Sequence, residues 1–126
     1  MLIDFSKEIS KNDSIGSKNF YCWKTITYIR KNFADQSLSI QSISDYLGIT
    51  PTHICNIFKK NVGQTINKYI MNLRVCEAKR MLCETNMNIS QVAKSVGFLE
   101  SKYFCKIFKK YTNLSPSEYK QKHQVI

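Results

Sequence analysis

The sequence predicts an all-α fold, and three observations support this prediction. Its 126 residues include only four Gly and two Pro, which leaves little turn punctuation for an all-β chain. Apolar residues recur at steps of three and four along most of the sequence. A stretch of sequence with the same helical pattern is then repeated about fifty residues later. The chain is 43% hydrophobic and 22% charged, a balance typical of a folded globular domain.

The composition also restricts the partners and the compartment. The net charge of +10 favours a polyanionic partner, and an acidic membrane surface fits this charge as well as a nucleic acid does. No apolar run reaches the length of about 18 residues that suggests a membrane span. A basic-then-apolar signal pattern is absent from the N-terminus, so we expect a cytoplasmic, nucleoid-associated protein that makes no contact with membranes.

The first half of the chain contains the pattern of a helix followed by two short helices with a tight turn between them. Cys22, Ile26, Ile29 and Phe33 form one face of a helix from Phe20 to Phe33. The caps and breaks that follow are Ser39 before Ile40–Leu47, Gly48 after it, Thr50-Pro51 at the start of a helix to about Asn61, and Gly63. This order is a helix-turn-helix pattern.

The pattern then starts again after a longer helix. Thr65 opens a linking helix that reaches about Glu84. The second set of signals is Asn88 before Ile89–Val96, Gly97, a helix over Ser101–Tyr111, and the capping box of Ser115 and Glu118 with Pro116 between them.

The two halves align with each other. Ile40, Ile43 and Gly48 match Ile89, Val92 and Gly97 at an offset of 49. After one inserted residue the offset is 50, and the block Ile54 to Lys60 matches the block Phe104 to Lys110. Two copies joined by a dedicated helix favour a tandem binding module over a solenoid.

Duplex DNA is the partner that this arrangement fits best. The second helix of a helix-turn-helix unit enters the major groove, and its early residues reach base edges. The residues that we expect to face the bases are Thr52, His53 and Asn56 in the first unit, and Ser101, Lys102 and Lys106 in the second. The residues that we expect at phosphates are the lysine pairs Lys59-Lys60 and Lys109-Lys110, with the helix starts capped by Ser39 and Asn88. Phe58 and Phe108 would be core anchors on the inward faces of these helices.

The length of the linking helix suits such a reader. A helix of about 20 residues spans about 30 Å, close to the distance of about 34 Å between major-groove segments one turn apart. One chain could therefore address two half-sites without dimerising, and we expect the isolated domain to be monomeric.

The residues resemble the AraC/XylS family of bacterial transcriptional regulators from about Phe20 to Lys120. The second half carries the most specific part: Ala93, Val96-Gly97-Phe98, Tyr103-Phe104, Phe108-Lys109-Lys110, Pro116 and Tyr119. The first half and linking helix add Ile43, Leu47, Phe58-Lys59-Lys60, Tyr69-Ile70, Arg74, Ala78-Lys79 and Leu82.

This resemblance implies seven helices, two helix-turn-helix subdomains and promoter binding, usually with activation through RNA polymerase. It adds Cys55 and Cys105 to the base-contacting positions. Three residues depart from the family pattern. Asn56 and Lys106 stand where many members have Arg, which implies other preferred bases, and Asn113 replaces the usual Gly after the last recognition helix.

The predicted organisation has residues 1–19 as a linker or the remnant of an upstream region, and residues 20–126 as the DNA-binding domain. Within that domain the first helix-turn-helix subdomain covers 20–63, the linking helix 65–84 and the second subdomain 88–126, with recognition helices over about 51–61 and 101–111. We expect either the C-terminal domain of a longer regulator or a small stand-alone one, with a slight preference for the first.

Other classes of function are less well supported. The sequence has no Gly-rich phosphate loop, nucleophile motif or carboxylate pair, so an enzyme is not expected, and neither is a cofactor. The five cysteines include no C-x-x-C pair, which argues against zinc and favours reduced thiols that pack as small apolar residues. Trp23 and Tyr28 are expected to pack rather than to stack on single strands. The main alternative is a basic helical module that docks RNA polymerase or another regulator, and a redox sensor is a distant third.

Overall fold

The computed structural model describes residues 13–124, and within them it has seven helices and no strand. The helices are α1 (Asp13–Asn32), α2 (Ile40–Leu47), α3 (Pro51–Val62), α4 (Ile66–Glu84), α5 (Ile89–Ser95), α6 (Ser101–Thr112) and α7 (Pro116–His123). The predicted all-α architecture with two helix-turn-helix subdomains and a long linking helix, α4, is confirmed. The part of the predicted linker that covers residues 1–12 lies outside the described residues, as do the last two residues of the predicted domain.

The first helix is longer than the sequence predicted. It begins at Asp13 rather than at Phe20, because a helix that is anchored by its apolar face gains one hydrogen bond for each residue added beyond that face. Cys22 and Ile29 are fully buried, as expected from their spacing. Thr25 is also fully buried, since its hydroxyl donates a hydrogen bond to the Tyr21 carbonyl at 2.7 Å.

The chain divides into two compact units. One contains α1, α2, α3 and the first turn of α4, and the other contains the rest of α4, α5, α6, α7 and the segment Phe33–Gln36. Trp23, which was expected to pack rather than to stack on single strands, is 38% exposed, and its ring lies 6.5 Å from that of Phe20. Tyr28 does pack, with its ring stacked on Tyr46 at 4.4 Å between centroids.

The first unit has a core of aliphatic residues around one phenylalanine. Ile43, Ile54 and Phe58 are fully buried, and the ring of Phe58 meets that of Tyr69 edge-on at 5.6 Å. The Cys22 thiol donates to the Ile57 carbonyl at 3.6 Å, and its burial raises the pKa of this thiol to about 11. The thiol of α1 therefore binds the backbone of α3 within this core.

The second unit is organised around a row of aromatic rings in contact with one another. Phe98, Phe104 and Phe108 follow one another at centroid distances of 5.2 and 5.6 Å, and Tyr119 meets Phe108 edge-on at 5.4 Å. The residues that surround the rings are Val75, Ala78, Leu82, Val92, Ala93 and Val96. Both phenylalanines of α6 are thus core residues, as predicted for Phe108.

Local capping agrees with the sequence signals at most helix ends. Ser39 and Ser42, Asn88 and Gln91, and Ser115 and Glu118 form reciprocal capping boxes. The hydrogen bonds from the backbone and hydroxyl of Ser115 hold the pKa of the Glu118 carboxyl below its usual value. Asn113 ends α6 in the left-handed conformation at φ 67°, so this asparagine does replace a glycine in its turn.

None of the described helices is both long enough and apolar enough to cross a membrane.

Candidate nucleic-acid interface

Helix α3 has one buried face and one exposed polar face. Ile54, Ile57 and Phe58 fix the helix in the core of the first unit. The opposite stripe is exposed and comprises Thr52, His53, Asn56, Lys59 and Lys60. Positions 52, 56 and 59 follow one another at helical spacing, so the residues predicted for bases and those predicted for phosphates lie on the same stripe.

Thr50 and Pro51 set the start of this stripe. The Thr50 hydroxyl accepts a hydrogen bond from the His53 amide at 3.2 Å, and Pro51 occupies the first helical position. At the other end Gly63 stops the helix at φ 89°, with its amide donating to the Lys59 carbonyl at 3.0 Å. The helix is therefore held at both ends, and the exposed side chains project from a fixed backbone.

Helix α6 has the same division with a higher charge. Phe104 and Phe108 are fully buried, while the exposed residues are Lys102, Tyr103, Lys106, Lys109 and Lys110. Ile107, predicted to point inward, is partly buried and packs against the core cluster. Neither recognition helix contains an acidic residue. Lys109 is close enough to Glu118 to contribute to the lowered pKa of that carboxyl, so part of its charge is offset.

Three of the predicted base-reading residues lie at the margin of the exposed stripes. Ser101, Cys55 and Cys105 are only partly exposed. Cys105 packs against the core of the second unit, and burial raises the pKa of its thiol. The raised pKa of the Cys105 thiol favours the neutral form of this side chain.

Tyr103 is an exposed residue of α6 that was not among the residues predicted to contact DNA. Its side chain is 47% exposed and stands between Lys102 and Lys106 on the outer face of α6, with its ring 5.9 Å from that of Phe98. The internal repeat could have identified it, because the offset of 50 aligns Tyr103 with His53, which was predicted to face the bases.

The helix starts at Ser39 and Asn88 use their side chains for capping. Ser39 Oγ accepts from the Ser42 amide at 3.0 Å, and Asn88 Oδ1 accepts from the Gln91 amide at 2.8 Å. A phosphate at either position would therefore bind to backbone N–H groups of the first turn, as the N-terminus of a helix allows. The two side-chain oxygens that cap these helices orient the N–H groups.

Comparisons with known proteins identify this arrangement. A family model described as a helix-turn-helix domain matches residues 43–122. The chain is 38% identical over 94 residues to the bifunctional transcriptional activator/DNA repair enzyme AdaA of Bacillus subtilis, covering 75% of this chain and 44% of that protein. It is 32% identical over 93 residues to the arabinose operon regulatory protein of Escherichia coli, covering 74% of this chain and 32% of that protein.

The fold has solved counterparts as well. The C-terminal domain of AraT, a response regulator from Geobacillus stearothermophilus, superposes with a TM-score of 0.82 at 24% identity and covers 84% of this chain and 88% of that one. The chain spans less than half the length of both curated relatives, so the similarity concerns their helix-turn-helix part.

Proposed function

Because the chain belongs to the AraC/XylS family of helix-turn-helix transcriptional regulators, we propose that it reads two segments of duplex promoter DNA, using α3 for one and α6 for the other. The observation that carries this proposal is the pair of exposed stripes, each free of carboxylates and each mounted on a helix that its core residues hold in place. The major groove admits a helix of this size, and the early residues of the helix face the base edges.

The residue types suggest different roles for the two helices. Asn56 can make a bidentate hydrogen bond to adenine, while Lys102 and Lys106 can donate to guanine acceptors. Thr52 and Ser101 can serve several bases, and the hydroxyl of Tyr103 can both donate and accept. We propose that α3 prefers a block containing adenine and that α6 prefers a block containing guanine.

The lysine pairs would supply affinity without selectivity. Lys59 and Lys60 lie in the last turns of α3, and Lys109 and Lys110 occupy the equivalent places in α6. Lysines that contact phosphates release counterions and make binding dependent on salt. Charge at repeated positions of both recognition helices favours this role over a merely solvated surface.

Selection of binding sites from a random duplex pool tests the proposal. The purified chain is used at near-physiological salt with competitor DNA, and two enriched blocks about one helical turn apart are expected. Asn56→Ala should relax the preference in one block, and Lys106→Ala or Tyr103→Ala should relax it in the other. Binding without any enriched sequence would refute the proposal. One enriched block would confine base reading to one helix.

Titration of the selected duplex then gives the stoichiometry. We propose that one chain occupies both blocks, because each chain carries two recognition helices. A complex of one chain per duplex is expected in analytical ultracentrifugation. A complex that forms only with two chains would show that each chain reads a single block.

A second candidate role, docking of RNA polymerase during activation, has its own supporting observation. Phe20, Trp23 and Tyr46 in the first unit are 43%, 38% and 54% exposed, and the ammonium of Lys24 lies over the rings of Phe20 and Tyr46 at 5.5 and 5.4 Å. Exposed aromatic clusters of this kind are typical of protein contacts. Transcription from a template with the selected site should rise on addition of the chain, and Trp23→Ala should reduce that rise without changing DNA affinity. An unchanged or lower transcript level would refute the activating role.

A further inference from the structure

Arg74 is one of the two arginines of the linking helix α4 and has no role in the proposed contacts with DNA. Unlike Arg80, it is almost fully buried. Arg74 is 6% exposed, and burial lowers the pKa of its guanidinium, opposed by the nearby charge of Asp35. A buried arginine is costly unless its N–H groups find acceptors. Its Nε donates to the Phe33 carbonyl at 2.7 Å, and its Nη2 donates to the Asp35 carbonyl at 3.1 Å.

The guanidinium of Arg74 also lies against the turn that precedes α6. The guanidinium carbon lies 5.5 Å from the centroid of the Phe98 ring, a distance typical of a cation–π contact. A Cβ on Gly97 would come within 2.7 Å of the Phe33 carbonyl oxygen and 2.8 Å of Arg74 Nε. Gly97 has φ 101° as well, so both its conformation and its surroundings require glycine.

The start of α6 lacks the side-chain cap that the start of α3 has, so it depends more on tertiary contacts. Glu100 occupies the N-cap position of α6 and makes no side-chain capping bond, whereas Thr50 caps α3 with its hydroxyl. The first turn of α6 is instead fixed by tertiary packing, with the Phe98 ring 5.2 Å from Phe104 and 5.9 Å from Tyr103. Phe98 therefore connects Arg74 to the first turn of α6.

We propose that Arg74 is a positioning residue for sequence reading by α6: it clamps the segment Phe33–Gln36 against the Gly97-Phe98 turn and so fixes the direction in which Lys102, Tyr103 and Lys106 project. The proposal rests on the proposed function, because it assigns to Arg74 control over one of the two reading helices. Gln36 assists, with its Nε2 donating to the Phe98 carbonyl at 3.4 Å.

The test compares Arg74→Met with Arg74→Lys and with a matched control, Arg80→Met. Arg80 is an exposed arginine of the same helix and pairs with Glu77 and Glu84 in that helix. Arg74→Met keeps an unbranched apolar stem and removes the guanidinium donors. Arg74→Lys keeps a charge but cannot supply the planar fork that reaches two carbonyls, so it should restore only part of the effect.

The DNA measurement uses the selected site and two competitors, each with one block altered, at a temperature where every variant is folded. In Arg74→Met the discrimination at the α6 block should fall at least about fivefold, as expected when one base contact is misplaced. Discrimination at the α3 block should stay within about twofold, the resolution of such a competition, as should both values in Arg80→Met. Equal losses at both blocks, or no loss, would overturn the proposal.

A measurement without DNA separates this proposal from the function on which it rests. Amide hydrogen exchange in Arg74→Met should speed up at residues 97–103 and stay unchanged at the buried positions of α5. Uniform acceleration would mean that Arg74 only contributes to global stability, and unchanged exchange would mean that it positions nothing. If the wild-type chain showed no sequence preference, the proposed function would fail and this exchange pattern would still decide the role of Arg74. Gly97→Ala should reproduce the pattern by pushing the same atoms apart.

Discussion

The salt dependence of DNA binding offers the sharpest quantitative prediction. Four lysines, Lys59, Lys60, Lys109 and Lys110, are exposed at the positions that we propose for phosphate contacts on the two recognition helices. Each lysine that neutralises a phosphate contributes about −0.9 to the slope of log K against log salt, so these four predict a slope of about −3.6. The dissociation constant should then rise about 150-fold between about 50 and about 200 mM salt.

Replacing Lys59 and Lys60 by alanine together should halve that slope. The expected value is about −1.8, and the same change of salt should then weaken binding only about 12-fold. Preference for the selected sequence over a scrambled duplex should be unchanged, because phosphate contacts carry no sequence information. Fluorescence anisotropy of a labelled duplex over a range of salt concentrations measures both quantities.

The control for this experiment is Arg80→Met, which removes a cation held by Glu77 and Glu84 on the linking helix and should leave the slope unchanged. A weaker affinity with an unaltered slope in the double lysine variant would refute the reasoning, since the lysines would then act through the fold or through bases. A loss confined to one sequence would contradict their assignment to phosphates.

Three further predictions concern the fold and its thiols. Phe108→Ala should lower the free energy of unfolding by about 3–5 kcal/mol in urea titrations, because Phe108 is fully buried among other rings, and a loss below about 1 kcal/mol would contradict this. Asn113→Ala should cost about 1–2 kcal/mol in the same assay while Asn113→Gly should cost nothing, since the position is left-handed, and equal values would show that the turn relaxes. Iodoacetamide should alkylate the exposed Cys76 well before Cys22, whose pKa is raised to about 11, as followed by peptide mass spectrometry, and early labelling of Cys22 would reveal local opening.

The fold was predictable because its signals are local or repeated. Gly48 and Gly63 are left-handed in the structure, and Ser39, Asn88 and Ser115 cap the helices that they were predicted to cap. Such signals act within four or five residues, so they can be read directly from the sequence.

What the sequence could not predict depends on contacts between distant residues. Nothing near Arg74 in sequence indicates that its guanidinium binds the carbonyls of Phe33 and Asp35, about forty positions away. The burial of Thr25 has a different, local reason, since its hydroxyl bonds to the Tyr21 carbonyl one turn earlier and can therefore occupy an apolar face. The sequence did not predict how far Trp23 is covered, because helical periodicity identifies a face but not whether a neighbour covers it, and this residue is 38% exposed.

The repeat itself separates what maintains the fold from what determines recognition. At the offset of 50 the buried pair Phe58 and Phe108 is identical, and Ile57 matches Ile107. Among the exposed pairs, the lysines at 59/109 and 60/110 are identical, whereas two pairs proposed for base contacts differ in kind: Asn56 corresponds to Lys106, and His53 corresponds to Tyr103. Packing tolerates few side chains at the buried positions, whereas an exposed position on a recognition helix is limited only by the base opposite it. Two helices with the same anchors and different outer residues should therefore read different blocks, and a selected operator should be a pair of unlike half-sites rather than a direct repeat.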